Sequence, residues 1–312
     1  LIWAAWLLAL IATWLMALAH SLPGFIAGMV LYNLTAFVSS PMNSYITAAR
    51  GKLSIARVLT VISASYNAGA IIGPWLGGQI AERYTLRSIY FVSASIFIVS
   101  SLFIVFLRPQ PVEQPEPTEK YQAFRLDPRL VIYLGVTFLA MFSMYLPQAL
   151  APNFLQNERG MQYNQIGQLG SISGAGIVLL NLVLGALTAR TGFLVGQAAM
   201  LAYALLLWKG NHFPAYALAY ALLGGYRVTR SLAVAQVRNL AHQSRMGLVY
   251  GINETVVATA VILAPPLAGW IFSRNPELIF ITSAGLIVIS LLVSARFLPR
   301  ARQPQTAEPT QQ

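Results

Sequence analysis

Three ionisable side chains, Arg227, Arg230 and Glu254, stand inside stretches otherwise apolar enough to lie in hydrocarbon. A charge at that depth is costly and by default marks a substrate contact, a proton relay or a gate. Arg230 and Glu254 lie roughly 15 Å and 12 Å from the ends of their stretches at the helical rise, so a pair between neighbouring helices is feasible. Arg227 is a turn deeper and shares a predicted helical face with Tyr216 and Tyr220. A static buried ion pair would leave the same pattern. Two further stretches carry polar side chains at helical spacing: Asn33, Ser40, Ser44 and Thr47 on one stripe, and Tyr145 with Gln148 one turn apart. They suit either a small molecule or hydrogen bonding between helices. Asn67, Asn181 and Asn253 have weaker facial support.

Other chemistries find no residues. His20, His212 and His242 fall near the ends of apolar stretches with no metal-ligand spacing, and there is no cysteine. No cluster of nucleophile, acid and base occurs, nor a phosphate-cradling G-x-x-x-x-G-K. An enzyme and ATP-driven transport are therefore not expected, and no cofactor is. Energy would come from an ion gradient, a proton gradient foremost.

The elements that must hold these groups follow from composition. Of 312 residues, 57% are apolar and 9% charged, too few charges to cover a soluble domain of this size. Apolar runs of at least about 18 residues, the length that crosses a bilayer core, recur from end to end. The fold class is all-α, a polytopic membrane protein. Splitting at Pro, Gly and charge clusters places ten spans near 2–20, 23–48, 56–81, 88–107, 131–152, 164–188, 193–208, 213–238, 247–272 and 277–297. Residues 108–129 are Pro-rich with mixed charges and read as a linker; 299–312 read as a disordered tail.

The net charge of +11 raises nucleic acid as a partner, but its placement argues against that. Arg50, Lys52, Arg57, Arg108, Lys120, Arg125, Arg129, Arg190, Arg238, Arg245, Arg296, Arg300 and Arg302 fall on one set of alternate connections. Only Arg83, Arg87, Arg159, Lys209 and Arg274 fall on the other. This is the positive-inside asymmetry, and it predicts a multi-pass protein of the cell (plasma or inner) membrane with linker and C-terminus cytoplasmic.

The sequence also repeats at an offset of 191 residues without a gap: Pro74 to Ile80 returns as Pro265 to Ile271, Arg83 as Arg274, Pro23 as Pro214, and Phe106 with Leu107 as Phe297 with Leu298. Residues 1–108 thus match 192–299, and 130–191, two spans, have no partner. Two helices are expected upstream of Leu1, completing two pseudo-symmetric halves of six: 1–107 in the first and 130–298 in the second.

The stretch GAIIGPWLGG holds Gly69, Gly73 and Gly77 four apart, a small-residue face that lets a neighbouring backbone approach, with Pro74 permitting a bend. The span at 164–188 offers a matching surface in Gly167, Gly170, Ser171, Gly174 and Ala175. The order G-x-x-x-G-P-x-x-G-G, filled by Gly69, Gly73, Pro74, Gly77 and Gly78, resembles the fifth-helix motif of the major facilitator superfamily, associated with its proton-coupled exporters. Residues Gly185 to Gly192 resemble the second copy of that family's G-x-L-x-D-R-x-G loop, with Arg190 in the arginine position and Ala189 where the acid stands.

The resemblance covers the whole chain. It implies the major facilitator fold with ten of twelve helices present, family helices 3–6 in 1–107 and 7–12 in 130–298, and a monomer that moves a small molecule across the bilayer by alternating access. It implies that the helices at 23–48, 131–152 and 213–238 line the cavity, making Asn33, Ser40, Tyr145, Gln148, Tyr220 and Arg227 candidate substrate contacts. Arg230 with Glu254 becomes a coupling or gating pair, Arg190 a gating residue, and the helices at 56–81 and 164–188 part of a moving joint. Proton-coupled efflux of a lipophilic, drug-like molecule by an antiporter is the leading expectation. A facilitator or symporter of a small anionic metabolite and a non-transporting membrane receptor are the alternatives.

Overall fold

The structure, a computed structural model, describes residues 2–38, 42, 45, 49, 55–107, 127–237 and 246–298. Among them it holds helices and no strand: α1 (Ile2–Leu18), α2 (Leu22–Leu34), α3 (Ile55–Arg83), α4 (Leu86–Val105), α5 (Pro128–Tyr145), α6 (Ala151–Asn157), α7 (Tyr163–Gly185), α8 (Ala189–Lys209), α9 (Phe213–Leu222), α10 (Gly224–Val237), α11 (Met246–Phe272) and α12 (Leu278–Phe297). Six of these are long and apolar enough to cross a membrane, among them α4, α8 and α12. The expected tail, and the linker up to its last three residues, lie outside the described residues.

Side-chain caps mark where helices start. Ser21, Thr85, Asp127, Thr188 and His212 each accept a hydrogen bond from a backbone N–H of the first turn. These caps satisfy donors that would otherwise be orphaned near the span ends. The sequence repeat is visible in them. Adding 191 takes the start of α2 at Leu22 to the start of α9 at Phe213. It also takes the bond from Gly24 N to Ser21 onto the bond from Ala215 N to His212.

The chain divides into two compact units, Leu1–Gln122 with Gln162–Gln168, and Ala123–Met161 with Leu169–Gln312. In the first, α1 packs on α2 and α4, and Trp6 Nε1 donates to Ser100 Oγ at 3.0 Å. In the second, α8 packs on α9, α10 and α12, and α5 on α11 and α12. Gln197, the repeat counterpart of Trp6, donates to Ser294 Oγ at 3.0 Å and accepts from Ser290 Oγ at 2.7 Å, joining α8 to α12. Small residues set the close crossings: a Cβ at Gly225 would lie 2.6 Å from the Gly196 carbonyl, and one at Gly224 would lie 2.8 Å from Ile177 Cα. The outer faces stay apolar: α4 exposes Phe91, Ile96, Val99, Leu102 and Phe103. Water would not tolerate so continuous an apolar surface, whereas lipid does.

Three expected spans depart from single uninterrupted helices. The span at 131–152 stops at Tyr145, because Pro147 has no N–H and its ring crowds the preceding turn. The span at 213–238 is interrupted at Leu223, before the Gly224 and Gly225 pair, where little holds a helix straight. The span at 23–48 tightens to a 3-10 turn at Thr35–Val38, where Thr35 Oγ1 donates to the Tyr32 carbonyl at 2.7 Å.

Candidate functional site

The interruption at Leu223 decides where the intramembrane charges point. Before it, α9 turns Tyr216 and Tyr220 inward: Tyr216 Oη donates to the Gly210 carbonyl at 2.7 Å, and the Tyr220 ring meets Tyr203 edge-on with centroids 6.1 Å apart. After it, α10 buries Tyr226, Val228, Thr229, Ala233 and Gln236 and leaves Arg227 exposed. The face expected to join Arg227 with Tyr216 and Tyr220 is therefore split, because helical periodicity does not carry through the break.

Around Arg230 the second unit assembles an ionic and aromatic cluster. Arg230 Nη2 donates to Glu254 Oε2 of α11 at 2.7 Å, a short charge-assisted bond. The side chains are 41% and 46% exposed, so the pair is not locked in the protein core. Tyr226, one turn before Arg230, faces Tyr145 of α5 with ring centroids 5.6 Å apart. Among the described residues its hydroxyl, which is buried, has no hydrogen-bond partner. Asn253, beside Glu254, is fully buried with neither amide atom partnered. It belongs to the α11 stripe Val249, Asn253, Val257, Ala260, Ala264 and Ala268, the buried side of that helix. Buried polar atoms without partners are rare in folded proteins and cost stability, so the Tyr226 hydroxyl next to Arg230 and the Asn253 amide on the buried side of α11 each call for a reason beyond packing.

The arrangement pairs one carboxylate with one guanidinium across α10 and α11, beside the two tyrosine rings. Tyr226 escaped the reading of the sequence, although its spacing of four from Arg230 was the available signal.

Other expected contacts lie apart from the cluster or turn inward to their own helices. Asn33 Nδ2 donates to the Met29 carbonyl at 2.8 Å and is exposed on the first unit. Gln148 follows the end of α5 and donates to the Met144 carbonyl at 2.8 Å. Tyr220 is buried with its hydroxyl unpartnered. Ser40 lies outside the described residues. Arg190 donates to the Ala295 carbonyl near the C-terminus of α12, where a cation also meets the negative end of the helix dipole.

The glycine motif makes a narrower seam than its spacing suggests. Among the described residues, a Cβ at Gly69 or Gly73 would meet no heavy atom within 4 Å, and one at Gly77 only Ile89 Cγ2 at 4.0 Å. The close approach is one rung on, inside the first unit, where α3 crosses the opening turns of α7. There a Cβ at Gly78 would lie 2.8 Å from the Tyr163 carbonyl oxygen and 2.9 Å from Gly167 Cα. A Cβ at Gly167 would lie 2.5 Å from the Pro74 carbonyl oxygen. Glu82, a turn beyond Gly78, accepts from Tyr163 N at 3.0 Å, a carboxylate at a helix N-terminus.

Comparison with known proteins agrees with this architecture. The profile of the Major Facilitator Superfamily matches residues 1–192 and 132–312. Multidrug resistance protein MdtG of Escherichia coli (strain K12) is 24% identical over 311 residues, spanning 94% of this chain and 76% of its own length. Among solved structures, nucleoside transporter NupG superposes with a TM-score of 0.78 at 11% identity, over 95% of this chain and 82% of that one. Peptide transporter POT does so with a TM-score of 0.74 at 15% identity, over 95% and 79%. With the profile spanning the chain from end to end, the protein belongs to the Major Facilitator Superfamily and is a membrane transporter, not an enzyme.

Proposed function

We propose that the protein exports a small lipophilic molecule in exchange for protons, by alternating access. The observation that carries this reading is the ion pair of Arg230 and Glu254, which joins two of the three ionisable side chains set inside apolar stretches. Protonation of Glu254 discharges the carboxylate, the pair loosens, and Arg230 turns its donors elsewhere. A proton from one side and a substrate from the other thus compete for one state of the site. The Tyr145 and Tyr226 rings, inclined at 49°, supply an aromatic wall, and the unpartnered Tyr226 hydroxyl supplies a hydrogen bond to a polar substituent. The crossing at Gly78 and Gly167, free of side chains, serves as the moving joint. The likeness to MdtG, named a multidrug resistance protein, supports export. We place the transporter in the inner membrane as a monomer, with linker and C-terminus cytoplasmic, no nucleic-acid partner and no cofactor beyond the proton gradient.

A second reading is a facilitator of a small organic anion, favoured by one observation: Arg227 and Arg230 outnumber Glu254 in the intramembrane region. One experiment separates the two. The intact protein is reconstituted in proteoliposomes, a pH gradient is imposed, and uptake of a panel of lipophilic cations and organic anions is followed. Gradient-driven accumulation of a lipophilic cation with reciprocal proton release is the expected result. Anion flux that persists without the gradient would replace exchange with facilitation, and binding without flux of any compound would replace transport with a receptor role.

A further inference from the structure

At the junction of α8 and α9 lies an open groove of about 750 Å³, well away from the Arg230 and Glu254 pair in sequence and built wholly within the second unit. Its walls are Ala202, Leu205, Leu206, Ala215, Leu218 and Leu222, with Leu205 and Leu218 among the exposed large apolar residues. Its polar end is formed by Lys209, Asn211 and His212, at the level where α8 stops and α9 starts. Among the described residues, no carboxylate lines it.

This polar end is fixed in place. The Gly210 N–H donates to the Leu206 carbonyl at 2.8 Å, and the Gly210 carbonyl accepts from Tyr216 Oη at 2.7 Å. His212 Nδ1 accepts from Ala215 N at 3.2 Å, so in the neutral ring Nε2 carries the hydrogen and is a donor. The Lys209 ammonium rests 3.8 Å from the centroid of the Trp208 ring. A cation, an amide and a ring N–H therefore stand together over an apolar slot, without an acid to pair with. The repeat shows that the scaffold does not need the cation: 191 residues earlier, Leu18 stands for Lys209.

We infer that this groove binds an anionic phospholipid, with an acyl chain along Leu205, Leu218 and Leu222 and the phosphodiester at Lys209, Asn211 and His212. The slot opens among apolar residues that face outward and its polar end coincides with a span end carrying Trp208, the depth at which headgroups and interfacial tryptophans sit. A soluble anion would use the polar end but leave the apolar slot unfilled; a zwitterionic lipid would bring its own cation against Lys209.

The test is native mass spectrometry of the intact protein titrated with phosphatidylglycerol and phosphatidylcholine of matched chains. Phosphatidylglycerol should be retained about five-fold more tightly, the worth of one lysine beside an anionic headgroup. Lys209→Glu should abolish the preference and Lys209→Arg keep it. Because a charge reversal can act at a distance, a phosphatidylglycerol with a mid-chain photoreactive group is used on the unaltered protein, where labelling should fall on Leu205, Leu218 or Leu222. Equal retention of the two lipids, an unchanged preference in Lys209→Glu, or labelling confined to other helices would overturn the assignment, leaving Lys209 as a cation at the end of α8. Displacement of the lipid by millimolar inorganic phosphate would also overturn it, in favour of a free-anion site.

Discussion

Replacing Gly167 with alanine adds one methyl group to α7, and the structure says what that methyl meets. Its Cβ would lie 2.5 Å from the Pro74 carbonyl oxygen and 2.8 Å from Gly78 Cα. Carbon atoms in ordinary contact lie about 3.5–4.0 Å apart, so the two backbones must separate by roughly 1 Å. Both obstacles are main chain, and no rotamer can relieve them. Overpacking of this kind costs about 1–3 kcal/mol, equal to a shift of roughly 5- to 150-fold against the conformation in which α3 and α7 touch. The bond from Tyr163 N to Glu82 is strained by the same displacement. Gly73→Ala is the matched control, because its Cβ meets nothing within 4 Å and the change removes backbone entropy from the unfolded chain. The protein has no cysteine, so spin labels can be placed uniquely at Arg83→Cys and Gln162→Cys, both exposed. Pulsed dipolar spectroscopy should show Gly167→Ala moving the population to longer distances, with transport slowed in proportion, while Gly73→Ala changes neither. A Gly167→Ala protein with the parental distance distribution and parental flux would refute the reasoning that this crossing is a working contact.

Three further outcomes follow from the same geometry. Glu254→Gln keeps the size of the side chain but removes the group that takes a proton, so substrate movement should lose its pH dependence while the protein still inserts; a retained pH profile would take Glu254 out of the coupling role. Gln197→Leu strips Ser290 and Ser294 of their partner in a dry core, and thermal unfolding in detergent should report a loss of about 1–3 kcal/mol. Arg190→Ala removes the donor from the Ala295 carbonyl at the end of α12, which should cost roughly 0.5–1 kcal/mol by the same assay, with Lys recovering part of it.

The sequence alone determined the helical class and the approximate extent of the spans, and it made a pair of Arg230 with Glu254 feasible. These depend on short-range information: an apolar run must close its own backbone hydrogen bonds in lipid, a Ser or Thr caps its own first turn, and two charges at similar depth on consecutive spans have few other partners. The 191-residue repeat likewise survived as a matching helix start, because each copy obeys the same local rules. What lay beyond sequence were matters of approach between distant segments. A glycine stripe names a face, but two rods that cross touch at one point, and only the path of α7 selected Gly78 over Gly69 and Gly73. Only the break at Leu223 turned Arg227 away from Tyr220, since periodicity presumes a helix that runs on. Tyr226 and Asn253 gained their meaning from burial without partners, a property that comes into being when other helices shut out water, and that no single stretch of chain encodes.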